Sequence, residues 1–164
     1  MELFDFLKNV SNEVYVFIIS MLPIIELRGA IPVGAALGMN VFECYALAVI
    51  GNLLPVPFIL VFIKKIIEWM SVSKVKFFRK VASWLIKKAE KRSGKMNNAS
   101  LWGLFAFVAI PLPGTGAWTG ALIASLMGMR FKKSFFSIVG GVFVAGIIMA
   151  LGSYGFVSFF KIFA

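Results

Sequence analysis

Histidine is absent from this sequence, and cysteine occurs once, at Cys44. Intrachain disulfides, thiolate or imidazole metal sites, and Ser-His or Cys-His catalysis are therefore excluded. Acidic residues are also scarce, with seven Asp and Glu against seventeen Lys and Arg. No nucleophile, metal or cofactor motif accompanies them, so we expect neither an enzyme nor a bound cofactor.

Hydrophobic residues are abundant instead, at 60% of 164 residues, with 15% charged and a mean hydropathy of +0.93. Ordinary soluble domains are about 45–50% apolar. The composition predicts an all-α integral membrane protein with a single membrane domain over 1–164. The net charge of +10 does not indicate a nucleic-acid partner, because the basic residues flank hydrophobic segments, where they orient a chain in the bilayer.

Four stretches carry little or no charge, and they differ in length. They are 14–25, 29–63 with one interruption at Glu43, 101–129 and 134–160. A helix that crosses the hydrocarbon layer needs about 20 residues. Within these stretches, 42–63 and 134–157 are long enough, whereas 14–25 reaches only about 18 Å.

The segment 64–100 holds eleven of the seventeen basic residues. Such a loop is expected on the cytoplasmic side. Phe77, Val81, Trp84 and Leu85 recur at helical spacing among lysines. This pattern predicts an amphipathic helix that binds anionic lipid head groups, with a plain topology signal and no specific ligand as the alternative.

A shift of 90 residues superposes two Pro/Gly-rich stretches without a gap, 22–30 on 112–120. In the same register Gly38 falls on Gly128 and Gly51 falls on Gly141. This correspondence predicts a duplicated unit, with repeat 1 at 13–63 and repeat 2 at 101–160. Each unit consists of a short apolar segment, a break, a second short segment and a full span.

The two short segments of each unit form either one Pro-kinked helix or a re-entrant hairpin. A simple span at 101–129 would place Arg130, Lys132 and Lys133 outside, against the positive-inside tendency. A hairpin returns them to the cytoplasm and leaves the acidic N-terminus outside. Charge therefore favours two hairpins that enter from opposite faces, an inverted repeat of the kind found in many secondary transporters.

Glu26 and Arg28 are the only charges between Glu13 and Glu43, and we expect them in an unwound break flanked by Pro23 and Pro32. Ionisable groups at membrane depth usually mark a transport path. Arg28 suits a phosphate or carboxylate, and Glu26 could exchange protons. A purely structural ion pair is the alternative.

Repeat 2 has uncharged residues at the corresponding break. The candidate anion-binding residues are Gly114, Thr115, Gly116, Trp118 and Thr119, with the amides of the first three exposed at the start of a half-helix. Close helix packing would also explain the glycines. Asn52 precedes Pro55 and either lines the path or caps an interrupted helix.

These motifs resemble the small multidrug export protein family, through 23–32 (PIIELRGAIP) and 111–120 (PLPGTGAWTG). The resemblance covers essentially the whole chain. The family is in turn distantly similar to the DedA or VTT membrane proteins, whose two re-entrant hairpins enter oppositely and whose bacterial members are implicated in flipping undecaprenyl phosphate. Arg28 with Pro32 fits the DedA pattern, but Thr115 stands where that pattern has an acid, and Glu26 is the candidate to replace it.

Together these features predict a transporter or flippase of the cytoplasmic (inner) membrane that moves an anionic amphiphile such as a polyprenyl phosphate, with proton coupling through Glu26. A homodimer is expected. The alternatives are an exporter of small hydrophobic cations and a non-transporting membrane scaffold. Apart from Glu26, every candidate binding residue is neutral or positively charged. This favours an anionic substrate over a cation.

Overall fold

The computed structural model describes residues 11–80, 82–83, 98–112 and 114–163. Over these residues every regular element is a helix, as the sequence predicts. The helices are α1 (Asn12–Met21), α2 (Glu26–Ala36), α3 (Val41–Leu53), α4 (Val56–Ser71), α5 (Asn98–Ala109), α6 (Ala117–Leu126) and α7 (Phe131–Phe163). Residues 76–80 are also helical. The predicted amphipathic helix lies largely outside the described residues, including Trp84 and Leu85.

Two helical stretches are long and apolar enough to cross a membrane, Val41–Ile63 and Phe131–Phe159. The first is interrupted, because α3 ends at Leu53 and α4 begins at Val56. Pro55 has no N–H and cannot continue the hydrogen-bond pattern of α3. The helix break that the sequence predicts near Asn52 is therefore confirmed.

The short helices α1 and α2 pack against each other. A methyl group built on Gly34 would lie 3.3 Å from Cγ2 of Val16. In one continuous helix these two residues, 18 positions apart, would be separated by about 27 Å. The chain therefore turns back on itself between Leu22 and Ile25, which excludes a single kinked helix over this region.

Helices α5 and α6 are related in the same way. A methyl group built on Gly120 would lie 2.6 Å from Cγ2 of Val108 and 3.5 Å from Cδ1 of Leu104. Leu104 and Gly120 would be about 24 Å apart in a continuous helix. The chain therefore also folds back between Ala109 and Ala117.

The chain divides into two compact units. Unit 1 comprises Met1–Pro55 and Val142–Ala164, and unit 2 comprises Val56–Gly141. In unit 1, α1 and α2 pack against α3, and Gly146 of α7 lies against Tyr45. In unit 2, α6 packs against α4 and α5, and Gly141 lies against Val108. The predicted repeat boundaries, 13–63 and 101–160, stay a prediction.

The turns that follow α2 and α6 have the same backbone hydrogen bonds, 90 residues apart. The paired bonds run from Leu37 N to Val33 O and Met127 N to Ile123 O, both 2.9 Å, and from Met39 N to Gly34 O and Met129 N to Ala124 O, both 3.0 Å. Gly38 and Gly128 have φ values of 74° and 67°, a conformation that glycine adopts without a steric penalty. Local structure thus recurs at the spacing found in the sequence.

Large apolar side chains remain exposed on the long helices. Phe42 on α3 is 81% exposed, and Phe136 and Leu151 on α7 are 71% and 73% exposed. Water disfavours so much apolar surface, whereas a lipid environment accommodates it. The exposed faces of α3 and α7 therefore suit contact with hydrocarbon.

Gly51 shows how closely α3 approaches α1. A methyl group built on it would lie 2.6 Å from the Phe17 carbonyl oxygen and would overlap Oγ of Ser20. We expect Gly51→Ala to destabilise the protein by about 1–3 kcal/mol through overpacking, measured as a lower thermal unfolding midpoint in detergent. Gly103→Ala is the matched control, because a methyl group there meets nothing within 4 Å. Equal midpoints for the two variants would contradict this packing.

Candidate functional site

Glu26 is the first residue of α2 and has an unusual backbone conformation. Its φ is 52°, the only positive value for a non-glycine residue in the described part of the chain. Its side chain is only 5% exposed, and its N–H donates to Leu22 O at 2.9 Å. A carboxylate at a helix N-terminus is favourable, but a strained backbone with a buried acid is costly and is typical of functional sites.

Arg28 is the third residue of α2 and is half-buried. It is close enough to Glu26 for their charges to interact. The sequence predicts that both residues lie in the break, and this prediction is wrong. The break ends at Ile25, and both Glu26 and Arg28 lie in α2.

Asn52 is fully buried in α3, and neither Oδ1 nor Nδ2 has a hydrogen-bond partner. The interpretation of Asn52 as a cap is therefore wrong, since a cap would bond to the backbone. An unsatisfied buried amide costs about 1–3 kcal/mol. Such a group in a native protein requires an explanation, and a ligand is one.

The C-terminal part of α1 lies beside Gly51, the residue before Asn52. Gly51 contacts Oγ of Ser20, and Ser20 is the penultimate residue of α1. Ser20 is fully buried, and its hydroxyl donates to Phe17 O at 2.7 Å. Sequence reasoning missed Ser20. The available signal was a hydroxyl within an apolar stretch, three residues before Pro23.

The hydroxyl and the N–H of Thr115 in unit 2 both form hydrogen bonds within the loop that precedes α6. Its hydroxyl shares its one proton between Ile110 O at 2.8 Å and Leu112 O at 2.9 Å, and its N–H donates to Leu112 O at 3.2 Å. The expectation that the Thr115 amide is exposed for an anion is therefore wrong. Gly114 has a φ of 81°, which allows this tight loop.

Helix α6 begins immediately after this loop, with Gly116 at its N-cap. Gly116 lacks a capping side chain, and its carbonyl accepts from the Gly120 N–H at 2.8 Å. Trp118 and Thr119 lie in the first turn and are half-buried. The N-terminus of a helix carries a partial positive charge, so this end of α6 suits an anion.

Unit 2 also contains an apolar groove of about 400 Å³ between α5 and α7. Trp102, Phe105 and Phe136 contribute its aromatic wall, and Lys133 lines it as well. An apolar wall with one cation matches the two chemical parts of an anionic amphiphile. Sequence reasoning did not identify this groove, because its residues come from helices about 30 positions apart.

The eight predicted site residues fall into two groups. Glu26, Arg28 and Asn52 belong to unit 1, and the five residues of 114–119 belong to unit 2. That the two groups face one substrate stays a prediction. Within the described ranges, no three His, Cys, Asp or Glu residues lie close enough to hold a metal ion together.

A protein-family model described as "Putative small multi-drug export protein" matches residues 26–148. The matched region begins at Glu26 and covers three quarters of the chain. No curated protein and no solved structure matches. The family description and the two long apolar helices agree with a multi-pass membrane protein.

Proposed function

Because the chain belongs to the family of small multidrug export proteins, we propose that it is a membrane transporter whose substrate is an anionic amphiphile such as a polyprenyl phosphate. One observation carries the proposal. A buried carboxylate and a half-buried arginine occupy the start of α2, where the chain turns back on itself. Arginine binds phosphate through two parallel hydrogen bonds and keeps its charge at any physiological pH.

The proposed architecture has two re-entrant hairpins, α1–α2 and α5–α6, that enter from opposite faces. Helices α1 and α2 have 10 and 11 residues and reach only about 15–17 Å each, too short to cross the bilayer. Their folded-back packing supports entry and exit on one side. In this arrangement the N-termini of α2 and α6 direct their partial positive charges toward the midplane, as in many transporters.

The charge balance near Glu26 favours an anion over a cation. A multidrug cation would be attracted by an uncompensated carboxylate, but here Arg28 interacts electrostatically with Glu26. A phosphate would gain an arginine and the N-terminus of a helix, both of which attract negative charge. The resulting assembly of one acid, one base and one phosphate monoester keeps a net negative charge, which a coupling cation would reduce.

Lipid character in the substrate is supported by the groove between α5 and α7. Its aromatic wall suits a hydrocarbon tail, and Lys133 suits a head group. The similarity to DedA proteins stays a prediction, as does the choice of polyprenyl phosphate among anionic lipids. We also propose an inner-membrane homodimer with 64–100 cytoplasmic and the N-terminus outside, and with neither enzymatic activity nor a nucleic-acid partner.

The test is a comparison of ligands on the purified wild-type protein in lipid nanodiscs. A fluorescent polyprenyl phosphate is titrated against the corresponding uncharged alcohol at fixed potassium chloride. We expect the phosphate to bind at least about tenfold more tightly, which is a difference of about 1.4 kcal/mol. Equal affinities would contradict the proposal.

The family description favours a second candidate, export of small hydrophobic cations. This candidate makes Glu26 the binding residue and gives Arg28 no direct role. It predicts that tetraphenylphosphonium binds to the wild-type protein and that Glu26→Gln alone removes resistance to cationic drugs. Tetraphenylphosphonium binding without binding of the phosphate would establish it over the anion.

A further inference from the structure

We propose that unit 1 contains a sodium ion site, formed by Oδ1 of Asn52, the carboxylate of Glu26, the hydroxyl oxygen of Ser20 and the carbonyl of Gly51. The starting observation is Asn52. Its side chain is completely buried and both of its polar atoms lack a protein partner. Buried amides without partners are rare in native proteins, and a bound ion satisfies the oxygen.

Two contacts fix how α2 and α3 lie along each other. Cys44 lies against Gly34, and its Sγ is 3.8 Å from Ile31 O. A four-residue turn joins the two helices, so they run antiparallel. Moving eight residues, about 12 Å, away from this contact along each helix leads to Glu26 on α2 and to Asn52 on α3. These two positions, both buried, are therefore at about the same height along the pair.

The third element, α1, reaches that level independently. Ser20 lies against Gly51, the residue before Asn52. The Ser20 hydroxyl uses its proton for the bond to Phe17 O. Its oxygen therefore keeps lone pairs for a cation. Three helices thus bring a carboxylate, an amide and a hydroxyl oxygen to one depth in unit 1.

The helix break adds backbone oxygen to this set. Helix α3 ends at Leu53, and the N–H of Leu54 donates to Ile50 O at 3.1 Å. Residue 55 is proline, which has no N–H for the carbonyl of Gly51. In transporters, carbonyls at interrupted helices and at the C-terminal ends of half-helices coordinate sodium. The C-terminal end of α3 also carries the negative end of the helix dipole.

The donor set favours a monovalent cation. All the donors are hard oxygens, and only one of them is a carboxylate. Calcium sites require six to eight oxygens with several carboxylates, and magnesium retains most of its water. One sodium ion would offset part of the negative charge left by Glu26, Arg28 and a phosphate monoester. This inference deepens the proposed function, on which its coupling role rests, and it replaces the proton with sodium as the ion at Glu26.

The experiment measures the thermal unfolding midpoint of the purified full-length protein in detergent, without lipid substrate. Sodium chloride is titrated against choline chloride at constant ionic strength, with potassium chloride as a second series. We expect sodium to raise the midpoint in a saturable manner, and potassium to require at least tenfold higher concentration for the same rise. Indistinguishable curves for sodium, potassium and choline would overturn the proposal.

Variants separate the site from general stability. Asn52→Ala is expected to shift half-saturation by sodium at least tenfold upward, whereas Asn52→Asp retains an oxygen and the response. Ser134→Ala is the matched control, since Ser134 is also fully buried with an unpartnered hydroxyl but lies in unit 2. Its sodium response is expected to equal that of the wild type. A wild-type response in Asn52→Ala would overturn the assignment.

The result is independent of the anion proposal. Sodium stabilisation is measured without any lipid, and phosphate binding is measured at fixed potassium chloride. If sodium does not stabilise the protein but phosphate still binds selectively, only the sodium site is refuted. If sodium stabilises the protein but the phosphate binds no more tightly than the alcohol, only the proposed substrate is refuted.

Discussion

Replacing Arg28 by alanine is expected to weaken the binding of polyprenyl phosphate by about 100-fold. The reason is the loss of a charge-assisted, two-point contact in a partly desolvated site, worth about 2–3 kcal/mol. Binding of the uncharged alcohol should change less than about threefold. The measurement is a titration of the variant in lipid nanodiscs, with its thermal midpoint recorded alongside.

Two further variants define the role of Arg28. Arg28→Lys keeps the charge but loses the planar pair of donors, so we expect an intermediate loss of about tenfold. Arg130→Ala removes an exposed arginine just before α7 and should bind like the wild type. If Arg28→Ala binds the phosphate with unchanged affinity while remaining folded, the anion does not bind at this residue.

Glu26→Gln is expected to reduce transport by at least about tenfold and to leave phosphate affinity within about threefold. The amide preserves the size of the side chain but cannot alternate between a charged and a neutralised state. Coupling to a cation requires that alternation, whereas the phosphate contact belongs to Arg28. The measurement is uptake of fluorescent polyprenyl phosphate across the membrane of proteoliposomes with an inward sodium gradient.

The matched control is Glu43→Gln, which neutralises an exposed acid in the first turn of α3. This variant should transport at the wild-type rate. A Glu26→Gln protein that transports normally would assign the carboxylate a structural role beside Arg28. Loss of phosphate binding in Glu26→Gln would instead show that the acid acts in holding the substrate.

Several features of the fold follow from single residues in the sequence. Pro55 predicted the end of α3, because a proline cannot donate to the preceding turn. The 90-residue register pairs Gly38 with Gly128, and both adopt positive φ in equivalent turns. The shortness of 14–25 predicted that α1 cannot cross the bilayer alone. These features depend on local chemistry and spacing, which a sequence displays directly.

The site was predicted less completely, because it depends on contacts between distant residues. The sequence identified Glu26 and Arg28 as rare charges, but not the left-handed backbone of Glu26. It identified Asn52 but not its isolation from every protein partner. Thr115 was expected to offer its amide, and instead the amide bonds to Leu112. Ser20 gained significance only through its contact with Gly51, 31 positions away.

The two hairpins are proposed to enter the membrane from opposite faces, and the sidedness of residues 130–133 tests this arrangement most directly. Cys44, the only cysteine, is replaced by alanine, and a single cysteine is placed at Lys132. A second protein with its cysteine at Glu43 serves as the control and should be labelled from outside whole cells.

A membrane-impermeant thiol reagent is then applied before and after the membrane is opened. We expect the cysteine of Lys132→Cys to be protected in intact cells and to be labelled only after the membrane is opened. Labelling of Lys132→Cys from outside would contradict the opposed hairpins and would leave Glu26 and Arg28 as a structural pair.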